Sequence, residues 1–125
     1  MTAKLSLSTV NVGATDVHEL ATFYHRLLGW PIVADEGGWV LLRADEGGTG
    51  LSVQHEPHHV RPVWPAGPGD PQMQLHLEIR VDGDLGEAVA HAVSCGATLA
   101  EHQPQDDVRV CIDPAGHPFC LWVVT

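Results

Sequence analysis

Basic residues are scarce in this chain of 125: one lysine and five arginines stand against sixteen acidic residues, a formal charge of −10 with histidine neutral. The arginines are isolated, at positions 26, 43, 61, 80 and 109. No positive footprint exists to displace counterions from phosphates or to hold an anionic bilayer, so nucleic acid and membrane are excluded as expected partners. Long apolar runs are missing as well: no stretch reaches the roughly 18 apolar residues of a spanning helix, and the opening MTAKLSLSTVNVG has no apolar leader core. Cysteine is sparse. Cys95, Cys111 and Cys120 are an odd number with no CxxC spacing, which argues for reduced thiols, and the expected location is the cytoplasm.

What is present is an ordinary globular composition, 44% apolar and 18% charged, enough for a single domain over residues 1–125 that folds without metal or disulfide. Within it lies a weak, ordered repeat. Thr9-Val-Asn-Val aligns with His76-Leu-Glu-Ile at a separation of 67, and Leu28-Gly29 aligns with Cys95-Gly96 at the same separation. Asp45-Glu-Gly-Gly48 aligns with Asp113-Pro-Ala-Gly116 at a separation of 68. Two modules follow, about residues 5–55 and 73–125. The linker between them, about 56–72, is rich in proline and glycine and cannot continue a sheet.

Each module reads strand, helix, short strands. In the first, Leu5–Val12 is strand-like and Asp16 is the helix N-cap. Val17, Leu20, Ala21, Tyr24, Leu27 and Leu28 form one helical stripe, and Gly29 ends it. Trp39–Arg43 and Gly50–His55 read as strands set off by glycine turns. The second module offers a strand at Gln74–Val81, an N-cap at Asp84 and a helix Leu85–Cys95 stopped by Gly96. Strands then follow at Thr98–Glu101, Val108–Ile112 and Pro118–Val124. His55-Glu-Pro-His58-His59 reads as solvated loop, and His117 as a turn residue.

Alternation in Gln74–Val81 sets Leu75, Leu77, Ile79 and Val81 on one face, for the helices, and Gln74, His76, Glu78 and Arg80 on the other. In the last strand Phe119, Leu121 and Val123 serve the helix side, which leaves Cys120, Trp122 and Val124 opposite. Tryptophan and cysteine are poor choices for a merely wetted face, so a small-molecule cavity with apolar walls is expected there.

The segments Ala21-Thr-Phe-Tyr-His-Arg-Leu-Leu-Gly-Trp30, Leu75-His-Leu-Glu-Ile-Arg-Val-Asp82 and Asp113-Pro-Ala-Gly-His-Pro-Phe-Cys-Leu-Trp122 resemble the vicinal-oxygen-chelate superfamily of glyoxalase I, bleomycin-resistance proteins and extradiol dioxygenases. Its glyoxalase-like subgroup is similar also in the Val63-Trp64-Pro65 linker. The resemblance implies an α+β fold of two tandem βαβββ modules, with a U-shaped mixed sheet around a cavity and helices outside, often as a homodimer. By position, the family's four metal ligands would fall on Thr9, Ser52, His76 and Cys120. Only His76 suits a divalent metal, because hydroxyls are poor ligands and no carboxylate occupies either closing strand. No metal or other cofactor is expected, with His76 the one ligand if any.

The leading expectation is therefore a small-molecule-binding protein, bleomycin resistance-like, that sequesters a hydrophobic or planar metabolite. Trp39, Trp64 and Trp122 would be its walls, with Thr9, Ser52, Gln54, Gln74, Arg109 and Cys120 orienting the ligand. A metal-independent isomerase, lyase or cyclase is the alternative, with His76 as general acid or base and Glu78 orienting it. Two further readings are a Cys120 nucleophile paired with His76, and a metal-dependent lyase or dioxygenase.

Overall fold

The computed structural model describes residues 3–124. The chain runs β1 (Thr9–Ala14), α1 (Val17–Leu28), β2 (Ile32–Asp35), β3 (Trp39–Leu42), β4 (Gly50–His55), β5 (Leu77–Arg80), α2 (Leu85–Cys95), β6 (Thr98–Leu99), β7 (Val108–Ile112) and β8 (Pro118–Trp122). It divides between Pro57 and His58 into two compact units, each an α+β module of βαβββ order with one helix and a four-stranded mixed sheet. The expected domain ends at residues 1, 2 and 125 lie outside the described residues.

In the first unit the strand order is β1-β4-β3-β2, with β1 parallel to β4 and the other pairs antiparallel. Helix α1 starts where the Asp16 carboxylate accepts the Glu19 N–H at 3.0 Å, satisfying a donor the helix itself leaves unpaired. It stops at Gly29, whose φ of 72° is left-handed and whose N–H donates to His25 O at 2.9 Å. Val17, Leu20, Ala21, Phe23 and Tyr24 are its buried residues. Phe23 lies outside the expected stripe; its ring meets Tyr24 edge-on at 4.8 Å, which widens the buried arc, while Leu27 and Leu28 stay half-buried. Alternate residues of the strands, Val12, Ala14, Val40, Leu42, Leu51 and Val53, complete this core.

Two expectations for this unit are corrected. The first strand begins at Thr9 rather than Leu5, because its partner begins at Gly50, opposite Thr9, and the chain before Gly50 is in a glycine turn. Leu5 and Leu7 are consequently 91% and 73% exposed. Strand β2, which no sequence pattern singled out, is short and irregular, with a register shift between Ile32 and Ala34.

In the second unit the order is β5-β8-β7-β6, with β5 parallel to β8. Asp84 caps α2 by accepting the Glu87 N–H at 2.9 Å. The core is Ala92, Cys95, Ala97, Val110, Cys111, Phe119 and Leu121. Strand β5 is shorter than expected, Leu77–Arg80, and Leu75 is 56% exposed instead of packed under the helix. The register places Pro118, which has no N–H, opposite His76, so the ladder ends there. Strand β6 is likewise cut to Thr98–Leu99. Beyond it the Gln103 side chain takes over the edge: its Oε1 accepts the Val110 N–H at 2.8 Å and its Nε2 donates to Val110 O at 2.9 Å. β8 ends at Trp122, two residues short of the expected Val124.

The start of the linker is not the loose loop its prolines suggest. His59 Nε2 donates to Ala115 O at 2.7 Å, Arg61 Nη1 donates to Pro114 O at 2.7 Å, and the His59 and His117 rings lie 4.9 Å apart. The Asp113–His117 turn beneath them is held by the buried Asp113 carboxylate, which accepts the N–H groups of Ala115 and His117 at 2.9 Å each. Further along, Gly67 N–H donates to Asp70 Oδ2 at 2.9 Å and Val63 N–H to Pro71 O at 2.7 Å.

Candidate functional site

Residues paired across a ladder share a face, so the register of the second unit sorts its side chains. Leu77, Ile79, Phe119, Leu121 and Cys111 fall on the α2 side. Glu78, Cys120 and Val110 form a row on the helix-free side, and Arg80, Trp122 and Val108 form the next row. This is the face the alternation in the sequence assigned to ligand.

Its chemistry is an aromatic plate with polar groups beside it. The Arg80 guanidinium lies 5.9 Å from the centre of the half-buried Trp122 ring, within cation–π range, while its Nε pairs with Asp82 Oδ1 at 3.2 Å. His76, just before β5, reaches along the strand so that Nε2 stands 3.9 Å from Glu78 Oε2. That is an ion-pair distance and too long for a hydrogen bond. The Cys120 thiol is pushed up, first by burial and then by the Glu78 carboxylate. The neutral thiol is thereby favoured, which works against a nucleophilic role.

The first unit has a comparable helix-free face. Thr9, Asn11, Ser52, Gln54, Trp39 and Leu41 share it by register. Asn11 Nδ2 donates to the buried Ser52 hydroxyl at 2.7 Å, and Gln54 Nε2 donates to Glu56 Oε1 at 3.0 Å. Asn11 was not among the expected site residues. The repeat could have found it, since Asn11 and Ser52 stand where Glu78 and Cys120 stand in the second unit.

Three expected residues lie elsewhere. Arg109 pairs with Leu121 and so faces α2, with Nη1 donating to the carbonyls of Gln105, Asp106 and Val108 at 2.9, 3.4 and 2.8 Å. Trp64 is in the linker, its ring 5.4 Å from that of His102. Gln74 is exposed and precedes β5.

The family's metal does not fit these residues. Thr9 faces Gly50 and Ser52 faces Asn11 across the ladder, so at the family's two ligand positions the first unit offers neutral hydroxyl groups, one of them already engaged. In the second unit the closing strand offers the Cys120 thiol opposite Glu78 where the family places a carboxylate ligand. Among the described residues no group of three or more His, Cys, Asp or Glu is placed to hold a metal ion.

The comparisons with known proteins agree with this architecture. A family model described as a glyoxalase-like domain matches residues 9–122. A glyoxalase/bleomycin resistance protein/dioxygenase family enzyme from Burkholderia phytofirmans PsJN superposes with a TM-score of 0.73 at 18% identity, covering 97% of this chain and 100% of that one. TnmS3, an antibiotic binding protein from Streptomyces sp. CB03234, gives 0.66 at 20% identity, covering 100% of both chains. A glyoxalase/bleomycin resistance protein from Albidiferax ferrireducens T118 gives 0.65 at 18%, covering 94% of this chain and 98% of that one. A search of the curated proteins gives no match. With a match that spans nearly the whole chain and two βαβββ modules in place, the chain belongs to the glyoxalase-like domain family.

Proposed function

We propose that this chain is a small-molecule-binding protein that holds a hydrophobic or planar metabolite against the helix-free face of the second unit, in a sequestering or resistance role. The observation that carries the reading is the Trp122 plate with Arg80 over it and Glu78, His76 and Cys120 alongside. An aromatic wall with a few polar groups at its margin suits a flat, largely apolar ligand. The antibiotic-binding description of TnmS3 supports such a role for this fold. Titration with a panel of planar aromatic compounds should quench tryptophan fluorescence saturably and return the compound unchanged. Trp122→Ala should weaken binding at least tenfold, about 1.4 kcal/mol; equal affinity in wild type and variant overturns the site.

The His76–Glu78 approach of 3.9 Å favours a second reading, a metal-independent isomerase, lyase or cyclase with His76 as acid or base. Here the compound is transformed, and His76→Ala keeps binding but loses turnover. We also read the chain as a cytoplasmic homodimer; light scattering at the mass of one chain overturns the dimer. Among the described residues no helix is long and apolar enough to cross a membrane. Elemental analysis of untagged protein purified without chelator should find substoichiometric transition metal, unchanged in His76→Ala. Near one metal per chain, lost in His76→Ala, would reinstate metal-dependent chemistry.

A further inference from the structure

The displacement of Arg109 to the α2 side draws attention to what surrounds it there. Leu85, Gly86, Val89, Leu99, Asp106 and Arg109 line a concavity of about 370 Å³ on the helix face of the second unit. Three of these are aliphatic and two carry opposite charges. Leu99 is 42% exposed, and Leu85 and Val89 are half-buried, so an apolar wall is left uncovered. At position 86 a glycine in the first turn of α2 lines the same wall, and a Cβ there would stand 3.2 Å from Asp84 Oδ2, the cap of the helix.

The charged end is built and only half used. Nη1 of Arg109 is fixed by three carbonyl groups of residues 105, 106 and 108, which orients the whole planar guanidinium. Its Nη2 and Nε have no protein acceptor among the described residues, and the Asp106 carboxylate forms no ion pair or side-chain hydrogen bond there. Arg109 and Asp106 do not pair with each other, although they line one concavity. An oriented cation, a separate anion and an aliphatic wall are complementary to one small chemical class.

We propose that this concavity binds a hydrophobic α-amino acid, or a molecule ending in the same group. The ligand carboxylate meets the free edge of the Arg109 guanidinium, its ammonium meets Asp106, and its side chain lies on Leu85, Val89 and Leu99. An arginine held in place by other bonds loses little freedom when it binds a carboxylate. The volume exceeds that of leucine or phenylalanine, so either fits. The site is on the opposite face of the sheet from Trp122 and does not depend on the function proposed above.

The test uses the full chain with L-leucine and L-phenylalanine as probes. Methyl NMR on the unsubstituted protein should show saturable shifts at Leu85, Val89 and Leu99, and affinity by calorimetry should fall at least tenfold in Arg109→Gln and in Asp106→Asn. Deleting either charge from the probe, as 4-methylpentanoate or 3-methylbutylamine, should weaken binding comparably. Because Arg109 also braces its turn, Asp106→Asn and the probe series carry the inference if Arg109→Gln unfolds. Three results overturn it: no saturation by about 10 mM probe, weaker than any affinity of use; shifts centred on the Val108 and Val110 methyls of the Trp122 face; or equal binding of charged and charge-deleted probes.

Discussion

Cys111 and Cys120 sit on neighbouring strands and opposite faces, and in both the thiol is favoured over the thiolate. Burial, reinforced by the nearby Cys120, pushes the Cys111 thiol up to about 11. The unfolded thiol ionises near pH 9, so the native state keeps the proton longer. The stability associated with it is fully present below that pH and is lost as pH rises towards 11, by about 2–3 kcal/mol. Urea denaturation between pH 8 and 11 should therefore show a steeper decline in the wild type than in Cys111→Ala; parallel declines would mean the thiol does not govern it. The opposite case is Asp35. Its carboxylate accepts the Gly37 N–H at 2.9 Å and pairs with His18 Nε2 at 3.0 Å, which hold it below the usual carboxylate range, so its contribution is lost as pH falls. At a third position, Gly116, the φ of 92° and the Arg61 Cβ, 2.9 Å from where a new Cβ would stand, leave no room for alanine. Gly116→Ala should cost on the order of 1–3 kcal/mol and loosen the linker's hold on the Asp113–His117 turn, read by urea midpoint and by amide exchange at Ala115.

The two helices occupy equivalent places in the repeat and are not equally deep. α1 buries five residues and α2 only Ala92 and Cys95 fully. Phe23→Ala should cost about 3–5 kcal/mol, against less than about 1 for Val93→Ala at 49% exposure, by the shift in urea midpoint. Similar costs would mean that Phe23 is not a core residue. Both helices were legible to their last residue, because an aspartate cap and a stopping glycine bound each, with an apolar stripe marking the first. Strand ends were less so. Leu5, Leu7 and Leu75 alternate as strand residues do, but pairing also needs a partner, and the partners run out at Gly50 and Pro118. The same limit shaped the reading of the site. Alternation found the face shared by Glu78, Cys120 and Trp122. Arg109, in an apolar run on both sides, could be assigned a face only once its partner Leu121 was known, whereas Asn11 was within reach of the repeat, which aligns it with Glu78.

For the molecule as a whole the dominant electrostatic fact is the charge of −10. Like charges repel one another and salt screens them, with a Debye length near 10 Å at about 0.1 M. Raising sodium chloride from about 20 to about 500 mM should raise Tm by a few degrees. A flat or falling Tm would show that local pairs such as Arg80–Asp82 outweigh the net charge. Charge also bears on association. A strongly anionic surface discourages non-specific contact, while sheet edges invite it through unpaired backbone groups. At the β7 margin the ladder ends beyond Leu99, where the Val110 carbonyl accepts from the Ala100 N–H at 3.0 Å and from the Gln103 amide, and the same amide answers the Val110 N–H. One side chain thus closes a seam that a neighbouring molecule could otherwise extend. Gln103 fills a place that an incoming strand would take, and Gln103→Ala should aggregate sooner on storage than the wild type, read by light scattering over time.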